Sequence, residues 1–222
     1  MTLSKIKSLT ATAVLLGCAS AAQAGFVPVD NITPDDATIG VVPSNDFKNI
    51  FASLGVTTYT LGASLGVDTA GTVTYSYYGK EAGYQNVFLA GNVFYSTAFT
   101  PQTQNLFGAP ITIGSVDVGA GVLDFGFCAF SAPGVSQGCV TNAQNDGLSY
   151  ASWQSIAFNA TGNVAWLFWD DSGAGPDDNH DDMLIKAVFT PRSVPEPATL
   201  GLLGLGLLGT WFGASRRKAL RA

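Results

Sequence analysis

The chain has 222 residues, 47% of them hydrophobic and 12% charged, with a formal net charge of −6 at pH 7. Once the hydrophobic runs at its two ends are set aside, the length suits one domain of ordinary size. Between those ends Lys48, Lys80, Lys186 and Arg192 face fifteen acids (all sixteen less Glu196), a balance of −11 that excludes nucleic-acid binding by phosphate neutralisation.

At the N-terminus Lys5 and Lys7 precede an apolar run over 9–19, and Ala22-Gln23-Ala24 follows it. Positive charge, a short apolar stretch and small residues, in that order, make 1–24 a bacterial secretion signal cut by signal peptidase between Ala24 and Gly25. A second reading takes Leu15-Leu16-Gly17-Cys18 as a lipoprotein box that would acylate Cys18, although Leu at its second position fits poorly.

Residues 25–193 form the exported domain, and their pattern is strand after strand. The segment 47–51 is the best short helix. Runs at 72–77, 93–99, 111–118, 122–130, 155–158, 164–169 and 183–189 are rich in β-branched and aromatic residues. Clusters of Gly, Asn and Asp punctuate them, and 159–163 reads as a tight hairpin. Seven or more short strands without helical periodicity predict an all-β fold, an antiparallel two-sheet β-sandwich of jelly-roll type. Trp153, Trp166 and Trp169 read as core residues rather than as a sugar platform.

With Cys18 lost in the signal, Cys128 and Cys139 remain as an even pair across a loop containing Pro-Gly and Gln-Gly. In the oxidising compartment that export implies they are expected to form a disulfide. Neither a Cys-x-x-Cys motif nor zinc spacing accompanies them.

Further on, Asp170, Asp171, Asp177, Asp178, Asp181 and Asp182 place six carboxylates in thirteen residues. They repel one another unless spread into water or neutralised. Asp177, Asn179 and Asp181 fall at i, i+2 and i+4, the opening ligand spacing of an EF-hand loop, and oxygen ligands of this kind suit Ca²⁺. Asp182 stands where that loop needs Gly and Val188 where it needs Glu, so the match fails there. Two readings stay open: a different calcium loop that also draws on Asp170 and Asp171, and a solvated acidic hairpin. Catalysis is not expected, because the lone histidine, His180, sits among aspartates that favour its charged form and has no defined serine partner. A solvated loop position, or a place supporting the acidic residues from behind, suits it better.

The tail is the most specific stretch. Residues 198–215 run for 18 positions without a charge, enough at about 1.5 Å per residue to cross a hydrocarbon core of roughly 30 Å as a transmembrane helix. Arg216, Arg217, Lys218 and Arg221 follow, so the positive-inside rule puts 216–222 in the cytoplasm and the domain beyond the inner membrane. At the entrance, Pro195, Glu196 and Pro197 hold the backbone extended until Ala198 and form a rigid tag.

This triplet, the Gly- and Leu-rich span and the basic cluster, in order over 194–219, resemble the PEP-CTERM sorting signal. The resemblance implies recognition and removal of the tail by an exosortase, an integral-membrane protease-transpeptidase of Gram-negative bacteria that make extracellular polysaccharide. It implies a protein anchored transiently in the inner membrane and delivered to the cell surface or biofilm matrix. A permanent single-span anchor is the alternative. The acidic stretch, with 79–88 upstream, is similar to poorly characterised β-rich ectodomains that precede such tails, which implies no established activity. The expected function is therefore a non-catalytic structural or adhesive component associated with exopolysaccharide or a cell-surface glycan. The alternatives are a calcium-dependent carbohydrate-binding module and a polysaccharide hydrolase.

Overall fold

The computed structural model describes residues 24–29, 37–40, 56, 58–61, 63–101, 103–104, 108–145, 155–171 and 180–193. In chain order its strands are β1 (Phe26–Val29), β2 (Ala37–Gly40), β3 (Thr58–Leu61), β4 (Ser64–Val67), β5 (Gly71–Glu81), β6 (Gln85–Ala90), β7 (Val93–Ser96), β8 (Thr103–Gln104), β9 (Ile111–Val118), β10 (Gly121–Val122), β11 (Gly126–Ala132), β12 (Val135–Thr141), β13 (Ser155–Thr161), β14 (Val164–Asp170) and β15 (Met183–Pro191). A 3-10 turn, Asn142–Gln144, is the one helical element among the described residues. The chain divides into two compact units, Met1–Pro191 and Arg192–Ala222, and all the strands belong to the first.

The strands pair antiparallel throughout and fall into three sheets. An 8-stranded sheet has the order β2-β3-β13-β14-β15-β5-β8, with β9 also paired to β5; a 4-stranded sheet runs β12-β11-β6-β7; a 3-stranded sheet runs β1-β4-β10. The all-β antiparallel expectation is met, but three sheets stand where two were expected. The division falls inside the run 122–130, expected as one strand. Val122 pairs with Gly66 of β4, whereas Gly126 opens β11 between β6 and β12.

The side chain of Asn142 fills that break. Its amide donates to the Leu65 and Leu123 carbonyls, both at 2.8 Å, and accepts from the Leu65 N–H at 2.8 Å. Asn145 does similar work one turn on, donating to the Ala63 and Ile156 carbonyls at 2.9 and 2.7 Å. These two amides supply hydrogen bonds to backbone groups buried at the break.

One core cluster joins all three sheets. Phe26, Leu65 and Val67 enter it from the 3-stranded sheet, Phe88, Val93 and Phe127 from the 4-stranded sheet, and Tyr75, Leu167, Trp169, Ile185 and Phe189 from the 8-stranded sheet. Strict alternation along β5 puts Val73, Tyr75 and Tyr77 into this core and leaves Thr72, Thr74 and Ser76 on the other face. A register shift where β5 meets Leu184 and Ile185 then interrupts the alternation, and Lys80 becomes buried. The expected hairpin is a two-residue turn, with Thr161 opposite Val164 and Gly162 at φ 57°, a left-handed conformation that glycine adopts without a Cβ clash. Residues 1–23 of the secretion signal, the helix expected at 47–51 and the tail from 194 onward lie outside the described residues. Among the described residues no helix is long and apolar enough to cross a membrane.

Candidate functional site

The acidic stretch forms the connection from β14 to β15. Asp170, Asp171, His180, Asp181 and Asp182 are all buried, the most exposed being Asp182 at 7%. The solvated-hairpin reading is therefore overturned for these residues, and His180 is a buried residue rather than a solvated one. Backbone pairing explains why. The Asp182 N–H continues the β14–β15 ladder by donating to the Trp169 carbonyl at 3.1 Å, and the Glu81 N–H donates to the Asp181 carbonyl at 3.0 Å. Both ends of the connection are thus strand-like and carry their side chains into the protein. His180 takes φ 55°, a left-handed conformation uncommon for a residue with a Cβ.

Two residues from other strands meet this cluster. Asn86, facing inward from β6 two positions before the core residue Phe88, accepts from the Trp169 indole N–H at 3.2 Å. Its amide nitrogen donates to Asp171 Oδ2 at 2.8 Å and to the Asp182 carbonyl at 3.1 Å. One amide so ties the 4-stranded sheet to the end of β14 and the start of β15. The Asp171 N–H in turn donates to Asp182 Oδ2 at 2.7 Å. Lys80, 0% exposed, donates from Nζ to the Tyr84 and Ala98 carbonyls at 2.8 and 2.7 Å.

Four buried carboxylates beside one buried amine make charge the central problem of the site. Burial, reinforced by the negative charge of Asp171, holds the Asp182 carboxyl well above the ordinary aspartate range. The bond from the Asp171 N–H opposes this, while Asp170 and Asp181 add to it. Burial pulls the Lys80 ammonium below its usual range, and Asp171 and Asp182 pull it back upward.

Of the residues singled out for calcium, Asp170, Asp171 and Asp181 come together here, while Asp177 and Asn179 lie outside the described residues. Among the described residues no three His, Cys, Asp or Glu side chains form a group that could hold a metal ion. What the arrangement does chemically is join strands through a charged hydrogen-bond network. Sequence reasoning set 79–88 beside the acidic stretch only through a resemblance and gave Lys80 and Asn86 no role. Their signals were a lysine closing an otherwise aromatic strand run and an asparagine at strand spacing from Phe88.

Cys128 and Cys139 are joined by a disulfide and stand directly opposite one another in the β11–β12 register. The segment between them, expected as a loop, is two strands around a turn in which Gly134 has φ 77°. Trp166 and Trp169 are buried, as expected of core residues, and the Lys186 ammonium lies 5.3 Å from the Trp166 ring centre. Trp153 lies outside the described residues. Gly134-Val135-Ser136-Gln137-Gly138 spells the Gly-x-Ser-x-Gly pattern of hydrolases. Here, however, Ser136 sits in a hairpin rather than at a strand-to-helix elbow, and its Oγ accepts from the Gly138 N–H at 3.2 Å.

The last strand, β15, ends at Pro191, and the Pro195-Glu196-Pro197 triplet begins four residues later. The chain carries a PEP-CTERM protein-sorting motif at residues 193–218. No curated protein and no solved structure matches the chain. The PEP-CTERM motif marks the product as an exported protein, anchored transiently in the membrane and sorted by exosortase.

Proposed function

We propose that the protein is a non-catalytic structural or adhesive component of the extracellular matrix, released from its PEP-CTERM tail by exosortase and held by exopolysaccharide or a cell-surface glycan. The observation that carries this reading is how the domain uses its buried polar groups. Asn86, Asn142 and Asn145 each bridge separate segments of the chain, and Asp171 and Asp182 complete the network around Asn86. A protein that devotes such groups to joining its layers is suited to persisting outside the cell.

The test is expression of the full chain in an exosortase-bearing host, beside a variant with Pro195, Glu196 and Pro197 replaced by Ala. The native chain is expected to shorten and co-sediment with the host's exopolysaccharide, and the variant to stay full-length in the membrane. A processed protein that remains free of the polymer would refute the matrix reading and leave sorting intact. The excess of buried carboxylates over buried amines favours a second reading, a calcium-dependent carbohydrate-binding module. Calcium would then draw oxygen ligands from Asp177 and Asn179 together with Asp170, Asp171 or Asp181. Saturable calcium heat that disappears in an Asp177→Ala, Asn179→Ala, Asp181→Ala variant supports it, and an unchanged titration removes it.

A further inference from the structure

The disulfide between Cys128 and Cys139 lies on the outer face of the 4-stranded sheet. Phe127 and Ala129, the neighbours of Cys128 on β11, belong to the core, and strand alternation turns Cys128 the other way. Val87 of β6 stands directly opposite Cys128, and Cys128 directly opposite Cys139 of β12. Residues opposite one another in a ladder share a face, so the three side chains form one row across the sheet. β12 is the edge strand at that end, and the row stops at Cys139.

The two sulfurs are therefore unequally placed. Cys128 is 5% exposed and Val87 7%, whereas Cys139 is exposed. Thiol–disulfide exchange is a displacement at sulfur, and the attacking thiolate arrives from the side opposite the leaving sulfur. At Cys128 that approach runs broadly along the row and over Val87. At Cys139 it comes from the open edge of the sheet. Exposed disulfides are moreover the exchangeable ones, while shielded structural ones resist reduction.

We propose that this disulfide is an exchange site, at which a low-molecular-weight thiol attacks Cys139 Sγ and becomes joined to it. A bond forms between the attacking sulfur and Cys139 Sγ as the bond to Cys128 Sγ breaks. The electron pair leaves on Cys128 Sγ, which takes a proton from water. The attacking thiol is thus oxidised to the disulfide level and Cys128 reduced to a thiol. Opening loosens β12 first, because that strand is exposed along most of its length and pairs with β11 alone, across two register shifts. Its far end stays held where the Asn142 N–H donates to the Phe125 carbonyl at 2.8 Å. This inference goes beyond the matrix reading and stands independently of it.

The experiment treats the full chain, with Cys18→Ser so that only the pair reports, with reduced and oxidised glutathione at about pH 8. Acid quenching and peptide mass spectrometry then locate the adduct. Glutathione is expected on Cys139, with Cys128 recovered as a free thiol. Amide exchange is expected to rise over 135–139 and to stay unchanged over 126–130. Further variants read the shielding of each sulfur. Cys128→Ser leaves Cys139 as an exposed thiol and Cys139→Ser leaves Cys128 as a shielded one, so the first should react with oxidised glutathione about tenfold faster or more. Val87→Ala should open the second approach and move part of the adduct to Cys128. Adduct shared equally by both cysteines of the otherwise native chain, equal rates for the two serine variants, a Val87→Ala chain with unchanged distribution, or a disulfide that glutathione leaves intact would each overturn the proposal.

Discussion

Two buried polar regions hold this fold, and they do so by opposite means. Around Asn142 and Asn145 the polar atoms are neutral amides, and they repair a break in the strands one donor and one acceptor at a time. Around Asn86 the same kind of amide meets the carboxylate of Asp171, whose charge also acts on Lys80. A neutral clamp costs only the hydrogen bonds it must satisfy. A charged cluster also bears the cost of removing ions from water, so its contribution depends on protons and cations.

The largest effect is expected at the charged region. Asn86→Leu removes the bonds to the Trp169 indole, the Asp171 carboxylate and the Asp182 carbonyl together from a buried charged cluster, so urea unfolding should show a loss of about 3–5 kcal/mol. Asn142→Ala removes the amide's bonds to the Leu65 N–H and the Leu123 carbonyl without exposing a charge, while the Leu65 carbonyl keeps the Leu123 N–H, and the same assay should show a smaller loss, about 2–4 kcal/mol. If the neutral variant proved the more damaging, the contrast between the regions would be wrong. Replacing Cys128 and Cys139 by Ser affects neither network. It frees an unfolded-state loop with a sequence separation of 11 and should cost about 2–3 kcal/mol.

The subtlest prediction concerns pH. Because the folded Asp182 pKa lies above the ordinary value of 3.8, the folded state binds more protons than the unfolded chain between those two values. Stability therefore falls as pH rises through that window. With a chelator present, Tm is expected to be higher at about pH 5 than at about pH 7, and Asp182→Asn should flatten the difference. Asn142→Ala should lower the whole curve without changing its shape. A pH profile unaltered by Asp182→Asn would remove the proton dependence assigned to the charged region.

What the sequence made legible follows the same division. β9 was recognised over its full length because β-branched residues dominate Ile-Thr-Ile-Gly-Ser-Val-Asp-Val, even though the alternation changes phase at Gly114 and Ser115 where the ladder to β5 shifts, and β15 because its apolar run is long. β12 was missed because it is exposed along most of its length and spells a polar loop, Val-Ser-Gln-Gly-Cys-Val-Thr. β5 was recognised only to Ser76 and Tyr77, since the register shift beyond them destroys the period. The acids of the β14–β15 connection were found by counting, but their burial was not. Six neighbouring carboxylates argue for water, and the amide that meets Asp171 stands 85 residues upstream. Only folding brings it there.

The position of β15 in its sheet has a mechanical consequence. The strand from which the sorting tail emerges is not at an edge: β14 lies along one side and β5 along the other. Tension applied through the tail while it is still anchored enters a strand zipped on both flanks. To extract it, two ladders must give way together, whereas an edge strand such as β7 would peel from one. The domain is thus gripped at one of its most firmly held points during the interval between export and cleavage.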